Sequence, residues 1–182
     1  MMTSNDAVRR PDGRRRLAAW LAAVVASSRA EAPDAATGPS ARVQSVRGEF
    51  AALRSNLIYR IEHSALFDDA ALLTREFHLA LMRWEEAQGS DDDELLQRAA
   101  SEVEFSFRTA RSHAETVGLT HLPEGSRAKA ERAIRAARLA ERAATGEERE
   151  EAVGHVAGLL DALSLYYLPS PTEVPHLLGT PR

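Results

Sequence analysis

One apolar stripe between Arg42 and Phe67 constrains the fold of this chain more than any other feature. Apolar residues recur there at steps of three and four, as Val43, Val46, Phe50, Leu53, Leu57, Ile61 and Ala65. Because an α-helix turns once every ~3.6 residues, this spacing places all of them on one side of a single long helix. The opposite side is polar, with residues such as Glu49, Asn56 and His63. Such a helix needs partner helices to cover its stripe, so the sequence predicts a helical bundle.

Four further segments show the same spacing and supply those partners. The sequence therefore predicts an all-α bundle of about five long helices, at 42–67, 69–88, 92–117, 127–144 and 147–168, preceded by a separate short N-terminal helix. No stretch of useful length alternates apolar and polar residues at period two, so no strand is predicted. The helix at 127–144 carries mostly alanine on its inner side, and we expect it near the edge of the bundle.

Composition divides the chain into four parts. Residues 1–32 form a basic and apolar arm, and residues 33–41 form a linker of proline, glycine and small residues. The bundle occupies residues 42–168. Four prolines between residues 169 and 182 predict an extended, non-helical tail.

The arm admits three interpretations. Arg14, Arg15 and Arg16 precede twelve residues without charge, fewer than the ~20 that a membrane-spanning helix needs. The pattern predicts a short amphipathic helix with Trp20 on its apolar side, packed on the bundle or bound to a partner. It also suits peripheral membrane contact through residues 14–28, or a cleaved export signal. We expect a cytoplasmic location, free or membrane-associated, with export as the alternative.

Charge is unevenly distributed within the net charge of −4. Residues 1–29 carry six Arg against two Asp, so the remainder of the chain is acidic. An acidic body argues against general nucleic-acid binding. Arg135, Arg138 and Arg142 nevertheless share one helix face. They predict either a docking surface for an acidic partner or an exposed face with internal ion pairs.

Neither a metal nor a cofactor is predicted. The chain has no Cys, which excludes thiolate ligands and nucleophiles. Four acids at 91–94 are better explained as a helix start, which we expect Ser90 to cap, than as a calcium loop with alternating ligands. A di-iron bundle needs Glu-x-x-His, and the only match, Glu173 with His176, falls in the proline-rich tail. Glu151 and His155 lie four apart, but no second pair matches them.

An all-α ribonuclease is the alternative function. The pattern of Arg and His separated by four to six residues marks the HEPN-superfamily ribonucleases, and Arg108 with His113 resembles it. Arg149 and His155 match as well. The resemblance implies that Arg108 stabilises a phosphate and that His113 acts as acid or base. Chance alone gives about two matches to so short a motif in this composition.

Complete packing stripes without a convergent catalytic set favour a non-catalytic function. We predict a helical protein–protein interaction or regulatory module, with the arm as a tether or second binding element. The near-exclusive use of arginine, with Lys129 the single lysine among 23 basic residues, is typical of a GC-rich bacterial genome. The partner is expected to be a protein, with a second copy of the chain as one alternative. The candidate partner-binding residues are Arg14, Arg15, Arg16, Trp20, Arg135, Arg138 and Arg142.

Overall fold

The computed structural model describes residues 38–178 of the 182-residue chain. Within that range the chain forms seven α-helices, two 3-10 segments and no strand, which confirms the predicted all-α bundle. The α-helices are α1 Pro39–Ser55, α2 Leu57–Glu62, α3 Leu72–Ala87, α4 Asp93–Val117, α5 Glu124–Arg142, α6 Gly146–Asp161 and α7 Val174–Leu178. The 3-10 segments are Ser64–Phe67 and Gly118–His121. None of the described helices is long and apolar enough to cross a membrane. The predicted arm, and the linker up to residue 37, lie outside the described residues.

The long first helix predicted at 42–67 is interrupted at Asn56. This residue has an extended backbone (φ −88°, ψ 104°), and its side chain accepts a hydrogen bond from the Tyr59 amide at 3.0 Å. Asn competes for nearby amides in this way and is a strong N-cap, so it ends α1 and starts α2. The apolar stripe itself is confirmed on both sides of the break, since Val43 and Ile61 are both fully buried. The prediction of one continuous helix was wrong.

The two halves of the stripe belong to two apolar clusters. The first cluster lies between α1, the Ser64–Phe67 segment, α3 and α4, and it is rich in aromatic side chains. The ring centroid of Phe77 lies 5.4 Å from that of Phe50 and 5.2 Å from that of Phe107. The second cluster joins α2, α5, α6 and the C-terminal segment. The chain therefore passes from one cluster to the other at the break after α1.

Helix α5 lies inside the second cluster, which corrects the expectation that it would occupy an edge. Five of its alanines and Ile134 are buried, and α5 contacts α2, α6 and α7. Small side chains allow helices to approach closely, so an alanine-rich face is compatible with a central position. Helix α6 has only Val156 and Leu160 buried and lies further out. Helix α5 also starts earlier than predicted, at Glu124 rather than near residue 127.

The acidic stretch before α4 has the structural role that the sequence indicated. The Asp92 side chain accepts hydrogen bonds from the amides of Glu94 and Leu95, at 2.9 Å and 3.2 Å. Asp92 is therefore the N-cap, whereas Ser90, which we expected in that role, accepts a hydrogen bond from the Asp92 amide at 3.1 Å. The described residues include no group of three or more His, Asp or Glu that could hold a metal ion.

The C-terminal region differs from the predicted helix 147–168 and the predicted extended tail. Helix α6 ends at Asp161, and Ser164 has a positive φ of 49°. Residues 174–178 then form α7, with Val174 and Leu178 buried in the second cluster. Pro175 is compatible with this helix because its first turn leaves backbone N–H groups unused. The same reasoning applies to Pro39, with which α1 begins three residues earlier than predicted.

Candidate functional site

The three arginines predicted as a docking face have different surroundings. Arg135 lies 3.8 Å from Glu131 on the same helix, and Arg138 forms an ion pair of 2.6 Å with Glu62 of α2. These two arginines therefore have intramolecular partners. Arg142 instead lines a groove between α5 and α6. The other candidates, Arg14, Arg15, Arg16 and Trp20, lie outside the described residues.

The groove follows the hairpin that α5 and α6 form. A capping box fixes the turn: Thr145 accepts from the Glu148 amide at 3.2 Å, and the Glu148 carboxylate accepts from the Thr145 amide at 3.2 Å. The groove has a volume of about 540 Å³. This volume lies within the range of sites that accept a small molecule or an anchoring side chain. Its lining residues are Ala136, Leu139, Arg142, Ala143, Ala144, Glu148, Glu151, Ala152 and His155.

The lining combines apolar side chains with opposite charges. Four alanines and Leu139 supply the apolar part, and Leu139, in the last turn of α5, is 65% exposed. Arg142 lies on α5, and Glu151 and His155 lie on α6. Neither Arg142 nor Glu151 forms an ion pair with another residue in the range 38–178. The groove therefore offers an apolar contact flanked by one cationic and one anionic group.

Arg108 and His113, the pair that resembles the ribonuclease motif, are not brought together. Both lie on α4, where five positions correspond to a rotation of about 140° around the helix axis. Arg108 donates from Nε to the Glu104 carbonyl at 3.4 Å. His113 is half-buried, and burial together with the charge of His121 lowers its pKa. Arg149 and His155 are six positions apart on α6, so they also point in different directions.

A cluster around Asp68 was missed in the sequence. Asp68 is only 7% exposed, and one carboxylate oxygen lies 2.8 Å from Nε2 of His121. The other oxygen accepts from the Ala70 amide at 2.9 Å and from the Tyr166 hydroxyl. Burial raises the pKa of Asp68, but hydrogen bonds from Tyr166, Ala70 and His121 outweigh that effect and hold the pKa below its usual value. The cluster joins the turn between the Ser64–Phe67 segment and α3, the second 3-10 segment, and the segment between α6 and α7.

A second missed network connects α1, α2 and α4. The Tyr59 hydroxyl donates to Glu115 at 3.0 Å, and Arg111 Nε donates to the same carboxylate at 2.8 Å. Arg111 also forms an ion pair with Glu49. Burial and the hydrogen bond to Glu115 raise the pKa of Tyr59. Tyr59 therefore keeps its proton at neutral pH and acts as a hydrogen-bond donor.

Two buried arginines have structural partners as well. Arg42 of α1 donates to Gln97, Ser101 and Glu104 of α4, at 3.0, 2.9 and 2.6 Å. Arg60 of α2 donates to Glu173 at 3.1 Å. Sequence periodicity treats arginine as an exposed residue. The hydrogen bonds of Arg42 and Arg60 could therefore not be predicted without knowing how the helices lie relative to one another.

The two Glu–His pairs considered for metal binding are separate in the structure. Glu173 directly precedes α7 and His176 lies within it, whereas we expected a tail without any helix. The Glu173 carboxylate accepts hydrogen bonds from Arg60 and from the amide and hydroxyl groups of Ser170. Glu151 and His155 lie together in the α5–α6 groove. Within the described range no third ligand joins either pair.

Comparison with protein-family models, with curated proteins and with solved structures finds no match to this chain.

Proposed function

We propose that this chain is a non-catalytic helical protein-interaction or regulatory module that binds its partner at the α5–α6 groove. The arm at residues 1–32 serves as a tether or second binding element. The observation that carries the proposal is Leu139, which is 65% exposed within a groove where Arg142 and Glu151 are unpaired among the described residues. Exposed apolar surface surrounded by polar groups is typical of protein-binding surfaces.

The internal contacts support the same proposal. Arg42, Arg60, Asp68 and Glu115 all bind side chains or backbone groups of other elements. Hydrogen bonds to charged groups contribute about 1.5–3 kcal/mol each to stability, so these groups have a structural use. By contrast, Leu139 is 65% exposed and Arg142 forms no ion pair within residues 38–178.

A pull-down with a matched pair of variants tests this function. Leu139→Glu places a charge at the groove, and Met82→Glu makes the same change at a side chain that is 56% exposed in the middle of α3. The full-length chain is tagged, expressed in its native cell, and the proteins bound to it are quantified. We expect Leu139→Glu to remove a partner that wild type and Met82→Glu both retain. Equal losses for the two variants, or no partner for the wild type, would contradict the proposal.

A HEPN-like ribonuclease is the second candidate function. One observation bears on it: burial and the charge of His121 lower the pKa of His113, which favours the neutral imidazole, the form that can accept a proton. The test is RNA cleavage by the purified full-length chain, with His113→Ala beside the control His176→Ala. Loss of cleavage in His113→Ala alone would support the ribonuclease, and unchanged cleavage would exclude a role for His113. An exported helical protein, with its signal in the arm, is a third candidate that depends on residues outside the described range.

A further inference from the structure

The α5–α6 hairpin has one packed side and one open side. Its packed side contributes Ala133, Ala137 and Leu160 to the second cluster. The groove lies on another side, where Leu139 remains exposed. Covering such an exposed apolar side chain with a partner is favourable, because its apolar area is then removed from water.

The charges of the groove are arranged as a complementary pair. Arg142 is on α5 and Glu151 is on α6, so each helix presents one sign. Glu148 already accepts hydrogen bonds from the Ala144 and Thr145 amides, at 3.1 and 3.2 Å, and is less free to pair elsewhere. A partner of one charge would satisfy Arg142 or Glu151 and repel the other. A second copy of the chain, related by a two-fold axis, presents both signs in reversed order.

A two-fold axis across the groove makes this complementarity reciprocal. It lays α5 of one copy against α6 of the other, so that Arg142 of each copy faces Glu151 of the other. Leu139 of each copy then lies against the alanines of the opposite groove. Two hairpins packed in this way form a four-helix arrangement, which is a common way to bury helix faces.

We propose that the chain forms a two-fold symmetric homodimer through the α5–α6 groove, with reciprocal Arg142–Glu151 ion pairs around Leu139. This inference rests on the proposed function, because it takes the same groove as the docking surface and names its occupant. A helix of 16 residues is about 24 Å long, and two helices side by side are about 20 Å wide. A contact along the whole hairpin would therefore bury at most roughly 1,000 Å² in total, below the about 1,200–2,000 Å² of stable interfaces, so we expect a weak, reversible dimer.

Charge exchange with the full-length chain tests the geometry. Sedimentation equilibrium over a micromolar concentration series measures dimerisation of wild type, Arg142→Glu and Glu151→Arg. Each single variant places like charges opposite one another, and we expect it to weaken dimerisation at least about tenfold, as lost and reversed ion pairs do. An equimolar mixture of the two variants restores dimerisation, because every new charge then faces an opposite one. The double variant also dimerises like wild type.

Controls separate this result from misfolding and from association elsewhere. Each variant should retain the helical circular dichroism spectrum of wild type, and Met82→Glu should dimerise like wild type. A chain that is monomeric throughout, or a mixture that does not associate better than its components, would overturn the dimer.

If the chain is monomeric while Leu139→Glu still loses a partner in the pull-down, the dimer is wrong and the proposed function stands. If the dimer forms but the pull-down shows no groove-dependent protein other than the chain itself, the occupant is the second copy alone.

Discussion

Each buried charged residue of the described chain joins two or more segments of the fold. Arg42 links α1 to α4, Arg60 links α2 to the segment before α7, and Asp68 links three segments at once. A buried charge is tolerated only when its partners are in place, so these residues select one arrangement of the helices. Asp68 is the most connected of them and is the best position for a test at this scale.

We expect Asp68→Asn to lower the free energy of unfolding at neutral pH and to make that free energy depend less on pH in the acid range. The unfolded carboxyl titrates near pH 4, above the lowered pKa in the folded chain, so the unfolded state binds more protons as the pH falls through this range. The stabilisation is therefore present above about pH 4 and is lost below it. At neutral pH we expect the free energy of unfolding to fall by roughly 1–2 kcal/mol, because a charged acceptor is lost. Urea unfolding at a series of pH values measures both effects.

Asp91→Asn is the matched control, because the Asp91 side chain is exposed and forms no hydrogen bond or ion pair with another residue in the range 38–178. Its curve of stability against pH should follow that of wild type. Identical acid sensitivity in Asp68→Asn and wild type would show that the carboxylate does not stabilise the fold.

Among the elements, helices whose apolar residues recur at helical periodicity could be predicted from the sequence. The positions where a helix breaks could not. Phe77 and Trp84 lie seven residues apart, and both are buried in α3 as their spacing indicates. The break at Asn56 was missed because the spacing continues from Leu53 to Leu57 across it. Local competition by the Asn side chain, and the separate clusters on either side, decide that position. Short α7 was missed because its length gives no periodicity.

Asn56→Ala tests the break between α1 and α2. Removing the side chain that caps Tyr59 should lower the free energy of unfolding by about 1 kcal/mol, the usual cost of losing an N-cap. Thermal or urea unfolding of the full-length chain measures the change. Ser55→Ala, beside it on α1, is the control, since the Ser55 hydroxyl bonds only to the Ala51 carbonyl of its own helix. Equal stability for the two variants would mean that the cap at Asn56 contributes nothing.

Replacing either of two glycines with alanine should change the free energy of unfolding, in opposite directions at the two positions. Gly48 lies within α1, and an added Cβ would meet no atom within 4 Å, so Gly48→Ala is expected to stabilise by about 1 kcal/mol. Gly118, which ends α4, has a φ of +49°, and Gly118→Ala should destabilise by roughly 1–3 kcal/mol. Urea unfolding measures both. The same sign for both variants would contradict the backbone geometry at one of the two positions.

For the whole molecule, the all-α fold class could be predicted from the sequence, but the α5–α6 groove could not. Arg135, Arg138 and Arg142 share spacing and sequence context, yet Arg138 pairs with Glu62 on a distant helix, and only Arg142 lines the groove. Periodicity locates a residue on a face of its own helix. It does not indicate which other helix covers that face, and the groove exists only through the placement of α6 against α5.

The claim that the α5–α6 groove binds a protein is tested most directly by site-specific crosslinking in the native cell. A photo-reactive amino acid replaces Leu139 in the full-length chain, and in a second strain it replaces Met82, which is similarly exposed on α3. We expect irradiation to give a discrete covalent adduct with a protein from position 139, whose mass identifies the partner, and none from position 82. No adduct from position 139, or the same adducts from both positions, would contradict the account.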